Sequence, residues 1–190
     1  MNIDMTASPD EFAETVENVN SQNEIERLKR DNEVEKIIRH HVAASSAIGL
    51  IPIPLFDMAA LVPVQVNLIR KIAKAYGVPF MKNKVRTIVT SLIGAVLPTT
   101  LTPTIVASLS KAIPVVGQTA SVLTMPILAG AATHATGRVF VLHFESGGTF
   151  LNFNVEKAKE RYAEMFKEGK EVAAEMKSDK NVASDAAAVG

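Results

Sequence analysis

Between His41 and Gly137 lie three long blocks with almost no charge, yet proline, glycine and threonine interrupt them too often for a plain series of membrane helices. From Val42 to Ile69 the only charged residue is Asp57, from Thr87 to Ser110 there is none, and from Ala112 to Gly137 only His134 can titrate. Each block exceeds the run of about 18 apolar residues at which a membrane-crossing helix becomes a candidate. Such a chain either packs these blocks into a helical core or gives them to lipid.

Charge is balanced overall, with 20 Lys and Arg against 20 Asp and Glu, so no global field favours nucleic acid. The distribution is uneven. Residues 1–35 hold ten acids and three bases, whereas residues 36–86 hold eight bases and one acid. The absence of cysteine excludes a disulfide framework, a thiolate metal site and a cysteine nucleophile. The acidic, polar start lacks the basic and apolar regions of a secretory signal.

Helix signals dominate. Ser8-Pro9-Asp10-Glu11 and Ser21-Gln22-Asn23-Glu24 both have the capping-box pattern, which predicts a short helix and then a second one. In the second, Ile25, Leu28, Ile37, Ile38 and Val42 fall near a helical period. A third helix opens at Pro54, is kinked at Pro63 and ends at Gly77 ahead of Pro79. Further segments are predicted over Lys82 to Leu97, stopped by Pro98, over Thr102 to about Ala112, and over Gln118 to about Phe144 with Pro126 inside.

Ser146-Gly147-Gly148 is a turn signal, and Asn154 caps a last helix striped by Val155, Ala158, Tyr162, Phe166, Val172 and Met176. The tail from Asp179 is expected to be disordered. The organisation predicted is an acidic helical arm over 1–35, an apolar helical core over 36–150, an amphipathic helix over 151–178 and a tail over 179–190. Ile51-Pro52 and Ile113-Pro114 each precede a long apolar helix with an internal proline, a weak echo compatible either with duplication or with a common way of entering a helix.

The stretch Ile51-Pro52-Ile53-Pro54-Leu55-Phe56-Asp57-Met58-Ala59-Ala60-Leu61-Val62-Pro63-Val64-Gln65, continued by Ile72-Ala73-Lys74-Ala75-Tyr76-Gly77, resembles the core motif of the YcjF-like family of bacterial helical domains of unknown function. A second signature agrees: Lys111-Ala112-Ile113-Pro114-Val115-Val116-Gly117, then Ala132-Thr133-His134-Ala135-Thr136-Gly137-Arg138-Val139-Phe140. The matching stretches cover roughly residues 40–150. The resemblance implies a helical, membrane-associated module, found alone or beside Era-type GTPases, and hence a possible P-loop GTPase partner. This chain has no GxxxxGK[ST], so GTP binding by the chain itself is not expected.

Two all-α arrangements fit. In lipid, residues 42–69 are too few for two crossings of a hydrocarbon core about 30 Å thick and would form a re-entrant wedge, while residues 87–137 would form a helical hairpin turning near Lys111. Basic flanks then keep both tails on the cytoplasmic face of a bacterial inner membrane. In water, the same blocks form a bundle of short, proline-kinked helices, apolar all round wherever a helix is fully buried, and the protein is cytoplasmic.

Few residues suggest chemistry. Asp57 lies in a helical first turn, where a carboxylate meets free backbone N–H groups, and its expected role is structural. Gln65, two turns on, can bridge to backbone or to His134, and His134 fits a hydrogen-bonded core position. Ala129, Thr133 and Gly137 make a small-residue ladder that lets another helix approach. With these, Pro52, Pro54, Gly77, Pro114 and Gly117 are assigned as structural motif positions. Arg70, Lys71, Lys74, Lys82, Lys84 and Arg86 are candidate contacts to an anionic membrane surface, or a solvated helix end.

His40 and His41 are adjacent and cannot chelate one ion together. No metalloprotease, nucleophile-elbow or paired-carboxylate pattern appears. No cofactor, metal or nucleic acid is expected. The functional expectation is a non-enzymatic, membrane-associated module that anchors or regulates a GTPase or scaffolds by self-association. Its alternatives are a soluble bundle that homo-oligomerises, and an ion or proton conduit using Asp57, Gln65 and His134.

Overall fold

The architecture comes from a computed structural model, which describes residues 9–48, 56–100 and 117–188, with side chains over 13–48, 61–94 and 125–176. Five helices and no strand occur among the described residues: α1 (Pro9–Ile48), α2 (Phe56–Ala75), α3 (Lys82–Thr100), α4 (Gly117–Glu145) and α5 (Val155–Ala188). The all-α class agrees with the sequence, but the helices are not short. They span 40, 20, 19, 29 and 34 residues.

The extra length has local causes. Residues 10–48 contain neither proline nor glycine, so nothing forces a break at Ser21 and both capping boxes fall on one continuous α1. Pro63 and Pro126 are accommodated inside α2 and α4. Pro98 does not stop α3, which runs to Thr100; in a last turn it removes a single intrahelical donor. Helix α5 continues to Ala188, past the end expected at residue 178.

Stops and starts elsewhere follow their residues. At Gly77 (φ 66°), Val78 N–H donates to Ala73 O over 2.8 Å and Gly77 N–H to Lys74 O over 3.2 Å. At Gly147 (φ 77°), Gly148 N–H donates to His143 O and Gly147 N–H to Phe144 O in the same way. Both are Schellman closures around a left-handed glycine. Asn154 caps α5, its Oδ1 accepting Lys157 N–H at 3.0 Å.

The centre of the bundle is α4. It packs chiefly against α5 and α1, then α2, and residues 129–137 are buried without interruption. That accounts for residues 129–137 of the charge-free third block: a stretch of helix enclosed on every side has no polar face to mark its period. Helix α5 lays Ala158, Tyr162, Phe166, Gly169 and Ala173 on α4, and α3 turns Val85, Ile88, Val89, Leu92 and Ile93 inward. No helix among the described residues is long and apolar enough to cross a membrane. The Pro52 and Pro54 entry to the proposed wedge, the 102–112 helix and Pro114 lie outside the described residues, as does the side chain of Asp57.

Candidate functional site

Small residues bring the central helices close enough for a polar seam to form inside the core. A Cβ on Gly137 would stand 2.9 Å from Ile38 Cγ1 of α1, and one on Gly130 would meet Ser46 Oγ at 2.6 Å and Ala173 Cβ at 2.9 Å. Where α5 meets α4, a Cβ on Gly169 would meet Ala131 O at 2.9 Å. The small-residue ladder is therefore a packing face. Gly137 and Thr133 serve it as the sequence suggests, whereas Gly130 and Gly169 were not singled out there. Gly169 had a readable signal, since it falls three residues after Phe166 on the apolar stripe of α5.

Within this seam Thr133 Oγ1 donates to Ser45 Oγ over 2.7 Å, and Thr136 Oγ1 lies 2.8 Å from both Gln65 Oε1 and Ala132 O. The buried Tyr162 hydroxyl donates to the same Ala132 carbonyl at 3.3 Å. Gln65 thus meets Thr136 and not His134, and its Nε2 is buried without a partner. His134 instead faces α5, with Nδ1 3.4 Å from Met165 O. These residues cross-link α1, α2, α4 and α5, an arrangement that fixes helix register.

Both buried histidines are held neutral. Burial lowers the His134 pKa, helped by the Arg138 cation and opposed by the Met165 carbonyl. Burial likewise lowers that of His41, against the hydrogen bond to Ile37 O and with Lys71 and His40 adding repulsion. The geometry agrees: His41 Nδ1–H donates to Ile37 O at 2.7 Å, which leaves Nε2 to accept Asn67 Nδ2–H at 3.2 Å, while Asn67 Oδ1 accepts from Arg70. Protonated His41 could no longer accept from Asn67.

A pKa held below its unfolded value of 6.5 means that the unfolded chain takes up protons first. The stabilising contribution is complete above that value and is lost as pH falls through the folded pKa. The unfolding midpoint in denaturant is therefore expected to drop between about pH 7 and pH 5, a window set by the ordinary histidine value. A midpoint that is flat or rises over this range would contradict the neutral assignment.

On the surface, α2 and α3 form a groove of about 390 Å³ lined by Val62, Pro63, Val66, Asn67, Arg70, Phe80, Lys82 and Arg86. Its floor is apolar and its rim carries three cations. Arg70, Lys82 and Arg86 are exposed, as are Lys71 and Lys74, and Lys84 is partly so. The sequence has no acid between Asp57 and Glu145, and none of the six cations forms an ion pair among the described residues. The linear cluster was legible in the sequence. The apolar floor was not, because Phe80 reaches it from the link between α2 and α3.

Aromatic packing holds this end of the bundle rigid. Phe80 meets Phe150 edge-on at 6.1 Å, and Phe150 packs on Phe140 and Phe144 at 5.9 and 5.3 Å. Phe153 stacks on Phe140 at 4.7 Å. Tyr76 donates to Glu145 Oε1 at 3.0 Å, and the Arg30 guanidinium sits 4.8 Å over its ring. Burial, with the Glu145 carboxylate beside it, pushes the Tyr76 hydroxyl up to about 12.

Above Arg30, α1 leaves the bundle. Residues 13–29 are all exposed, and they include Val16, Val19, Ile25 and Leu28. At a rise of 1.5 Å per residue this exposed arm is about 26 Å long. No group of three or more His, Asp or Glu able to hold a metal ion occurs among the described residues.

A family model described as "Domain of unknown function (DUF697)" matches residues 15–171. The chain belongs to this family. The DUF697 match takes in the polar seam, the groove and most of the arm. One relative, named magnetosome membrane protein 22, from Magnetospirillum gryphiswaldense, is 38% identical over 155 residues, covering 82% of this chain and 80% of its own. No solved structure matches the chain.

Proposed function

We propose that this DUF697 chain is a non-enzymatic helical module that works by self-association, with the arm of α1 as its contact element. The observation that supports this most is the arm itself. Seventeen consecutive residues, 13–29, are exposed, with Val16, Val19, Ile25 and Leu28 among them. An isolated helix of this length is marginal in water, so order in the arm gains from a partner surface. The polar seam and small-residue contacts make the rest of the chain a rigid carrier for it.

A membrane-surface role is the second reading. It draws on the six unpaired cations from Arg70 to Arg86 and on the printed name of the magnetosome relative, and it places the chain on an anionic surface without requiring a span. Partnership with a P-loop GTPase rests on the YcjF-like resemblance alone.

Amide hydrogen exchange over a dilution series tests the main reading. Protection of residues 13–29 is expected to rise with protein concentration while α4 exchanges slowly throughout. Fast arm exchange at every concentration would overturn self-association through the arm.

A further inference from the structure

Resting on the membrane-surface reading, we propose that the α2–α3 groove seats one anionic phospholipid of a bilayer surface, with its phosphate among Arg70, Lys82 and Arg86 and an acyl chain along Val62, Val66 and Phe80. The lining is ordered like such a molecule. Val62, Val66 and Arg70 follow one another at four-residue spacing on one face of α2, so this wall passes from apolar to cationic over about 12 Å. Lys82 and Arg86, also four residues apart, supply cations from α3, and Phe80 adds its ring to the floor.

The cationic end is partly set in advance. Arg70 Nη2 donates to Asn67 Oδ1 at 3.1 Å, and Asn67 Nδ2 donates to His41 Nε2 at 3.2 Å, so the guanidinium is tied through α2 to α1. A guanidinium has donors to spare beyond that one and can hold two phosphate oxygens at once.

Shape and apolarity favour a lipid over a free phosphate or a protein segment. A headgroup alone would leave Val62, Val66 and Phe80 uncovered, whereas an acyl chain takes the apolar floor out of water. At about 390 Å³ the groove stands near the lower end of small-molecule sites, which run from about 300 to 1,000 Å³, so it admits one chain and not a helix. Met81, between the lining residues Phe80 and Lys82 in the sequence, is exposed. An apolar side chain among cations suits a surface that rests in the headgroup layer. Lys71, Lys74 and Lys84 stand outside the lining and add only general attraction.

Vesicle binding by the full-length chain tests the site. One variant carries Arg70→Gln, Lys82→Gln and Arg86→Gln; an equal-charge control carries Lys71→Gln, Lys74→Gln and Lys84→Gln. Five of these positions are exposed and Lys84 is partly so, and an unchanged unfolding midpoint checks that both variants keep the fold. On vesicles of phosphatidylglycerol and phosphatidylcholine, the groove variant is expected to bind at least about tenfold more weakly than the parent, and more weakly than the control. In the parent, a short-chain phosphatidylglycerol below its micelle concentration is expected to shift the amide resonances of Val62, Val66 and Phe80, whereas glycerol phosphate at the same concentration leaves them in place.

Equal losses in the two variants would overturn the groove as a lipid site while leaving surface attraction standing. An equal response to glycerol phosphate would assign the groove to a free anion and overturn the inference. A parent that binds no phosphatidylglycerol vesicle would overturn both the inference and the membrane-surface reading. A groove variant that binds vesicles like the parent but no longer self-associates would assign the groove to a second copy of the chain and overturn the inference.

Discussion

Replacing Phe140 with alanine is expected to destabilise the fold by about 4 kcal/mol, the middle of the range for a fully buried phenylalanine. The ring is completely inaccessible. It is the hub of the aromatic group at the arm end of the bundle, with ring centroids 5.8 Å from Phe144, 5.9 Å from Phe150 and 4.7 Å from Phe153. Removing it costs both the transfer of the ring and the cavity it leaves, since Phe153 is stacked nearly parallel to it at 16° and loses that face. Phe150 would also lose a neighbour that steadies it against Phe80, so the groove floor loosens together with the core. Denaturant unfolding should give a lower midpoint with an unchanged slope; a loss below about 1 kcal/mol would mean that the cluster repacks around the gap.

Three of the helix boundaries were legible because they depend on residues a few positions apart. Gly77 before Pro79, the 146–148 turn and the Asn154 cap each act locally, and each appears where the sequence puts it. The stripe of α5 was legible for the same reason, except that Gly169 and Ala173 were passed over as small residues although they hold the closest approach to α4. The apolar block at the centre of α4 had two meanings in the sequence. A helix surrounded by protein and one surrounded by lipid are both apolar all round. Enclosure by α1, α2 and α5 provides an environment for residues 129–137 within the protein itself.

What the sequence could not supply was long-range. A capping box states that a helix can start at Ser21, not that one must, and α1 passes through it. The aromatic cluster gathers Tyr76, Phe80, Phe140, Phe144, Phe150 and Phe153 from three separate stretches, and no spacing rule links them. The sequence allowed Gln65 to bridge to His134, yet Gln65 reaches from α2 to Thr136 of α4, whereas His134 points away from α4 toward Met165 of α5. The groove is the same case: its cations are contiguous in sequence, but its apolar floor exists only once α2 and α3 are packed.

The second large effect concerns association. Removing residues 1–29 deletes the exposed arm and keeps Arg30, whose guanidinium covers Tyr76. Because residues 13–29 are all exposed, the truncated chain should unfold within about 1 kcal/mol of the parent, as expected for changes away from the core. Its self-association should be abolished, since the contact element is gone. Light scattering of the full chain and of residues 30–190, over the same concentration range, therefore tests the central claim most directly. The account predicts a mass above the 20.4 kDa of one chain for the parent and a folded monomer for the truncated protein. A truncated protein that associates as strongly as the parent, or a parent that is monomeric throughout, would contradict it.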